Sequence, residues 1–349
     1  MNTIRACGAL LAVPILAIAM TGCDIDWTNV FDGNDNGSGN DNTVAVADTE
    51  VAGLNVAVSD YLFTRTFNNL QQAIERRNYD QTLTVDLQAE ADAAGRDIRP
   101  TRVIMYEDPQ RMTPIIAADR RAGLDLPPAI LVYRTGDGAG DPAIDPAIGP
   151  ANGLPGLDSG NVGVAYNSSD YLAARYDVAD ARDALDGLAE DIATWVGDAV
   201  ASNGVSRAGG VDGIGRGEGI VDRISDRDFA TTLDQLIDAI NDNDDLELLQ
   251  QFDHRAAAHA IGSMLDDNDD PATLVVFDAG AEQARMIAGG QTVAVDLPMR
   301  ILVSEDTDGA VHVNYSKPGY LADRHGLDVP DAIDDLDGIM RDLVDKAID

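Results

Sequence analysis

Apolar positions along the chain follow the periods of short strands and amphipathic helices, and they do so twice. "LNVAVS" (54–59) and "GIVDRIS" (219–225) alternate as half-buried strands do, and each ends on a serine that could cap the next helix. In the segments that follow, apolar residues recur at spacings of three and four, which places them on one helical face. They are Phe63, Phe67, Leu70 and Ile74 in the first segment, and Phe229, Leu233, Leu236 and Ile240 in the second.

The same duplication continues through the more hydrophobic middle of each half. "RPTRVIMYEDP" (99–109) parallels "DPATLVVFDAG" (270–280), and each predicts a buried strand. "LDLPPAILV" (124–132) and "VDLPMRILV" (295–303) follow at an offset of 171 residues. A sequence rich in Pro, Gly and Asp, residues 136–160, then interrupts the first copy alone. Its composition indicates a long excursion between two strands.

The closing segments of the two copies also match. "VAYNSSDYLAARYDV" (164–178) parallels "VNYSKPGYLADRHGLDV" (313–329), and a predicted amphipathic helix follows each. The apolar stripes of these helices are Leu185, Leu188, Ile192, Trp195 and Ala199 in the first copy, and Ile333, Leu336, Leu343 and Ala347 in the second. We therefore predict a tandem duplication, with a first repeat domain at 49–201 and a second at 219–349. A Gly-rich linker, 202–218, joins them.

The N-terminus has the pattern of a lipoprotein leader. Arg5 precedes an apolar segment, residues 8–20, that is too short to span a bilayer. "MTGC", Met20 to Cys23, resembles a bacterial lipobox, in which the cysteine is lipidated and becomes the new N-terminus. We predict a signal peptide at 1–22, lipidation of Cys23, and a flexible tether at 23–48, rich in Asn, Asp and Gly. The expected location is the cell envelope, facing the periplasm or exterior; simple secretion and an uncleaved anchor are the alternatives.

The net charge of the chain limits the classes of partner that the protein can bind. The formal net charge is −37, and Lys317 and Lys346 are the lysines of the chain. Nucleic acid is an unsuitable partner, because phosphate binding needs clustered lysine and arginine side chains. Two interpretations of the acidic surface stay open: adaptation to high salt, where screening relieves self-repulsion, and a plain compositional bias.

Several separate motifs resemble the bacterial domain of unknown function 302. The first copy contains "RPTRVIMYEDPQRMTP" and "LDLPPAILVY"; the second contains "FDHRAAAHAIG", "DLPMRILVSEDTDGAVHVNY" and "GYLADRHG". The second copy lacks the pair Thr113–Pro114 of the first. The resemblance implies an α+β fold of two tandem two-layer domains, each with helices packed on an antiparallel sheet. It implies no activity.

Candidate site residues are the tyrosines and arginines that recur in both copies. Tyr166, Tyr171 and Arg175 correspond to Tyr315, Tyr320 and Arg324, and His325 follows in the second copy. Tyrosine and arginine side chains can line a cleft for an anion or a planar ligand, and His325 could act as a general base. The structural alternative is that the tyrosine rings cover a sheet edge and the arginines hold a loop.

No metal site or cofactor is predicted. His254 and His259, five residues apart on a helix, point in different directions and share a metal poorly. The first functional hypothesis is a membrane-anchored lipoprotein whose repeats bind a partner protein or a small ligand. The alternatives are an enzyme of unknown reaction near Tyr315, Tyr320, Arg324 and His325, and a purely structural surface protein. We also expect the two repeats to pack on each other as an intramolecular pseudo-dimer, because the short linker raises their effective concentration.

Overall fold

The structure is a computed structural model, and it describes residues 51–77, 82–135, 162–201 and 206–349. The predicted signal peptide at 1–22, the lipidation of Cys23, the tether at 23–48 and the insertion at 136–160 all lie outside these ranges. In the described part of the chain, no helix is both long and apolar enough to cross a membrane.

Each repeat contains the same succession of strands and helices. The first is β1 (Leu54–Ser59), α1 (Phe63–Glu75), β2 (Thr82–Asp86), α2 (Leu87–Ala93), β3 (Thr101–Tyr106), α3 (Pro109–Ala118), β4 (Ala129–Arg134), β5 (Val162–Asn167), α4 (Ser169–Arg175) and α5 (Arg182–Val200). A short strand, β6 (Ser206–Ala208), follows. The second repeat is β7 (Ile220–Ser225), α6 (Phe229–Asn241), β8 (Glu247–Asp253), α7 (His254–Ala260), β9 (Ala272–Asp278), α8 (Gly280–Gly289), β10 (Met299–Glu305), β11 (Val311–Ser316), α9 (Pro318–Arg324) and α10 (Pro330–Ile348).

The two sheets are antiparallel and have the same strand order. The first runs β2-β3-β4-β5-β1-β6, and the second runs β8-β9-β10-β11-β7. On one face, α1 and α5 pack together over the first sheet, as α6 and α10 do over the second. The predicted α+β fold of two tandem two-layer domains is therefore confirmed. The sequence assigned residues 202–218 to a linker, but Ser206–Ala208 within that segment pair with β1 as an added edge strand.

The serines that close the first strand of each repeat do not cap the helices, contrary to expectation. The Ser59 hydroxyl accepts from the Tyr61 amide and contacts the Thr66 hydroxyl, and Ser225 makes the matching contacts in the second repeat. The serines therefore hold the turn before each helix. The cap residue of α6 is Asp228, whose side chain accepts from the Thr231 amide.

The second face of each sheet contacts the other repeat. A 3₁₀ helix in the first repeat, Arg120–Leu124, packs on β9, β10 and β11, and its counterpart in the second, Gln291–Asp296, packs on β3, β4 and β5. Because both faces are covered, the central strands are almost continuously apolar and buried. Buried side chains of both repeats form one hydrophobic cluster.

Candidate functional site

The repeated "DLP" segments place two aspartates between the repeats. Asp125 follows the 3₁₀ helix of the first repeat, and Asp296 ends that of the second. Each is buried, and a cis peptide bond to proline follows each, at Leu126–Pro127 and Leu297–Pro298. The offset of 171 residues seen in the sequence therefore corresponds to matching positions on the two sides of one interface.

Asp296 accepts hydrogen bonds from three side chains. Arg324 Nη1 donates at 2.7 Å and His325 Nε2 at 2.9 Å, both to Oδ2. Asn167 Nδ2, from the first repeat, donates to Oδ1 at 2.9 Å. Burial alone would raise the pKa of Asp296, but Arg324 and His325 outweigh it and hold the pKa of this carboxyl well below its usual range.

Asp125 has the corresponding partners in the first repeat. Arg175 Nη1 and the Tyr176 hydroxyl both donate to its Oδ2 at 2.8 Å. Tyr176 thus occupies the position of His325, and Arg175 occupies that of Arg324. Burial raises the pKa of the Tyr176 phenol well above its ordinary value, so the phenol remains a neutral donor.

The two arginines also bind across the interface, to the other repeat or, in the case of Glu218, to the residue just before it. Arg175 Nε donates to the Glu218 carbonyl at 3.1 Å and Nη2 to Ser316 Oγ at 2.8 Å. Arg324 Nε donates to the Ala52 carbonyl at 2.9 Å and Nη2 to Asn167 Oδ1 at 2.7 Å. The two sets of contacts are reciprocal, as expected for a duplicated surface that meets its own copy.

Tyr171 and Tyr320 complete this arrangement from matching positions on α4 and α9. The Arg324 guanidinium lies 4.0 Å from the centre of the Tyr171 ring, and that of Arg175 lies 4.8 Å from the Tyr320 ring. Gly53 and Gly219 make room for the rings: both have positive φ, and a Cβ at either would come within 2.7 Å of tyrosine atoms. We call the set Asp125, Arg175, Tyr171, Tyr176, Asp296, Arg324, Tyr320 and His325 the reciprocal network.

The chemistry of the reciprocal network is that of a closed interface. Burial lowers the pKa of His325, with Asp296 opposing the shift, and the ring is neutral at neutral pH. A carboxylate only accepts, so His325 Nε2 carries the proton and Nδ1 accepts from the Thr292 hydroxyl at 3.0 Å. Both ring nitrogens are thus occupied, and a general base would need a free one.

The structure brings together five of the seven predicted site residues: Tyr171, Arg175, Tyr320, Arg324 and His325 belong to the reciprocal network. Tyr166 and Tyr315 lie elsewhere. Tyr166 comes directly before Asn167 on β5, and Tyr315 comes directly before Ser316 on β11. Because successive side chains of a strand point to opposite faces of the sheet, both tyrosines point away from the reciprocal network. Burial raises the pKa of Tyr315, whose charged neighbours include Asp337 and Arg341 of α10.

The other histidines are dispersed. His254 is buried, with Nε2 3.2 Å from the Gly123 carbonyl of the first repeat, and burial lowers its pKa to about 4. His259 is exposed and contacts Asp269 at 2.7 Å, and His312 lies between Asp222 and Asp306. Among the described residues, no three side chains of the metal-binding types lie close enough together to hold an ion.

Sequence reasoning did not assign a role to Asp125, Asp296, Ser316 or Arg300. The aspartates were visible as the repeated "DLP", and their identity in both copies was the available signal. Ser316 and Arg300 have no such signal, because their counterparts in the first repeat are Asn167 and Ala129.

These features define a class: an internally duplicated α+β protein whose two repeats share a buried polar interface. The family profile "Domain of unknown function DUF302" matches residues 54–141 and 221–343, more than half of the chain, so the chain belongs to this family as a tandem duplication. The family has no defined activity.

Two further kinds of similarity were found. A crystal structure of an uncharacterized conserved DUF302 protein from Bacillus stearothermophilus has 16% identity and a TM-score of 0.33, covering 37% of this chain and 98% of that one. Fluoride-specific ion channel FluC 1 of Brucella suis and FluC 2 of Brucella melitensis are each 30% identical over 82 residues. That segment is 24% of this chain and 31% and 29% of the two channels, so the match spans less than a third of either relative.

Proposed function

We propose that the protein is a lipoprotein of the cell envelope, anchored through Cys23, that binds a partner protein by strand addition at β7. Its two repeats act as one intramolecular pseudo-dimer, and the molecule faces the periplasm or exterior. The observation that carries the binding proposal is an asymmetry between the sheets. β1 is covered by β6, whereas its counterpart β7 is an edge strand that no other described strand pairs on its outer side.

The outer side of β7 has backbone groups available for pairing. In the first repeat, the Leu54 carbonyl accepts from Gly209 on the β6 side. The counterpart of Leu54 is Ile220, whose amide already donates to the Gly217 carbonyl at 3.1 Å. Strand alternation turns the backbone of Asp222 and Ile224 to the same side, and these two residues offer the groups for pairing. Ile224 is 61% exposed, which is unusual for a large apolar residue among those that the structure describes. An extended peptide can add to such an edge through main-chain hydrogen bonds.

Charge indicates the chemistry of the partner. The formal net charge of −37 favours a basic segment. Near β7, the exposed Asp345 pairs with Arg223 and Asp222 contacts His312, so the attraction comes from the net charge of the protein. The other edge of this sheet, β8, has an irregular register between Leu248 and Gln250, a feature that discourages strand addition. We therefore expect an extended partner segment that carries lysine or arginine.

Catalysis at Tyr315, Tyr320, Arg324 and His325 receives no support from the geometry. Arg324 and His325 are buried and bonded within the reciprocal network, and Tyr315 is on the opposite sheet face. A substrate would have to displace Asp296 from both partners. Binding at an outer edge requires no such rearrangement.

The test uses a fluorescent peptide of alternating valine and lysine and measures its anisotropy on titration. Ile224→Pro removes an amide on the outer side without breaking the ladder to β11, so we expect it to abolish peptide binding. Ile224→Thr keeps the amide and is the matched control; it should bind within a few-fold of the unaltered protein. Equal binding by the proline and threonine variants would overturn the proposal.

A further inference from the structure

Arg300 is a buried arginine that stands outside the reciprocal network. It lies on β10 with 6% of its surface exposed, and its Nη2 donates to the Val295 carbonyl at 3.0 Å. Its Nε has no acceptor, and no carboxylate of the described residues lies within ion-pair distance of it. The matching residue of the first repeat is Ala129, so the charge is an addition by the second repeat.

Arg300 borders a small cavity between the repeats. The cavity has a volume of about 10 Å³, at the lower limit of the space that one water-sized particle needs. Its polar lining is Arg300, Ser316, Asp125 and Asp296, and its apolar lining includes Leu124 and Met299. Both repeats therefore contribute to the wall.

Around the cavity, the buried arginines outnumber the buried aspartates by one. Three buried arginines, Arg175, Arg324 and Arg300, accompany two buried aspartates, Asp125 and Asp296, and each aspartate is paired with its own arginine. Burial lowers the pKa of Arg300, which reflects the cost of keeping its charge away from water. An anion beside it would offset that cost.

Two hydrogen-bond donors are available there. One is Arg300 Nε. The other is the Ser316 hydroxyl, which accepts from Arg175 and so keeps its own hydrogen for another acceptor. Ile301 pairs with Tyr315 across β10 and β11, so Arg300 and Ser316 are the next pair along these strands. Directly paired side chains point to the same face of the sheet. On that side, Asn314 is also fully buried, and its amide has no partner.

We infer that this cavity is a binding site for a monatomic halide, with chloride as the natural occupant, held between Arg300 Nε and Ser316 Oγ. The ion neutralises the unpaired arginine and contacts both repeats, so its binding stabilises their docking. Because the surface is strongly acidic, the site fills at high rather than low salt, when the surrounding negative potential is screened.

The first experiment compares thermal unfolding in KCl and in potassium gluconate at equal concentrations. It uses the unaltered protein, Arg300→Met, and Arg341→Met, an exposed arginine of α10, as control. If the site half-saturates near 0.1 M, about 1 M chloride raises the ratio of folded to unfolded protein about tenfold. We expect a chloride-specific gain in the unaltered protein and in Arg341→Met, but not in Arg300→Met. The same anion difference in all three proteins would overturn the inference.

A second experiment does not depend on the folding of a variant. Crystals of the unaltered protein soaked in bromide should give an anomalous peak within contact distance of Arg300 Nε and Ser316 Oγ, and chloride should compete with it. A water molecule at that position, with no anomalous signal, would contradict the halide site.

Discussion

Asp125 and Asp296 hold the same place on the two sides of one buried interface. Each accepts from the arginine of its own repeat and from the residue that follows that arginine, Tyr176 in one case and His325 in the other. Each of those arginines then bonds to the other repeat. The interface therefore depends on two ion pairs that orient groups on both sides.

Removing the charge of Asp296 should destabilise the whole described fold. Asp296→Asn leaves Arg324 buried without its anion, and breaking a buried pair in this way costs about 3–5 kcal/mol. Asp186→Asn, which removes the exposed partner of Arg182, is the control and should cost under about 1 kcal/mol. Urea unfolding of both variants measures the difference. Similar losses would contradict the role assigned to the buried pair.

His254 should make stability dependent on pH. Its folded pKa of about 4 lies below its ordinary value of 6.5, so the unfolded chain binds the proton more readily. The contribution is complete above pH 6.5 and declines as pH falls from there toward 4, by about 3 kcal/mol in total. Leu87 is the buried counterpart in the first repeat, so His254→Leu should fold and lose this part of the pH dependence. Urea unfolding at pH 7.5 and 5 measures it; parallel declines in both proteins would reject the assignment.

Deleting the insertion at 136–160 should leave the fold intact. Arg134 and Val162, which flank it, are direct partners across β4 and β5, so a short turn can join them. The turn "DTDG" (306–309) of the second repeat is a suitable replacement. Because doubling a loop changes closure free energy by only about 0.6 kcal/mol, the melting temperature should stay within a few degrees. A collapse on deletion would mean that the insertion covers part of the core.

Replacing Cys23 by Ala should abolish membrane anchoring. We expect the variant to leave the membrane fraction or to keep its signal peptide, which gives a larger species on gels. Replacing Cys7, in the predicted leader, by Ala is the control and should change neither property. If the Cys23 variant fractionates and migrates like the unaltered protein, the lipoprotein hypothesis is wrong.

Salt should stabilise the protein. The net charge of −37 produces self-repulsion in the compact state, and raising KCl from about 0.1 to about 1 M shortens the screening length from about 10 to about 3 Å. The melting temperature should therefore climb over this range, and NaCl should act like KCl. Repeating the measurement in potassium gluconate separates stabilisation by chloride binding at Arg300 from stabilisation by general screening. A flat or falling curve in KCl would remove the physical basis of the high-salt interpretation.

The sequence by itself determined the two repeats and the strands and helices that recur at matching offsets in both. Apolar spacing such as Phe67, Leu70 and Ile74 depends on the local geometry of a helix, which is the same wherever the helix packs. The repeated "DLP" likewise identified a matching position in each copy. Family resemblance supplied the antiparallel two-layer arrangement, which spacing alone does not specify.

Only the tertiary structure decided which of the recurring polar residues meet. Tyr166 and Tyr171 recur equally well in the sequence, yet Tyr171 lies in the reciprocal network and Tyr166 on the opposite sheet face. Arg175 reaches Ser316 of the other repeat, and Arg300 lies next to a cavity that both repeats line. Such contacts join residues that are far apart in the chain, so a local sequence pattern does not show that they meet. Their energies depend on burial and on the geometry of the partners, which only the folded structure fixes.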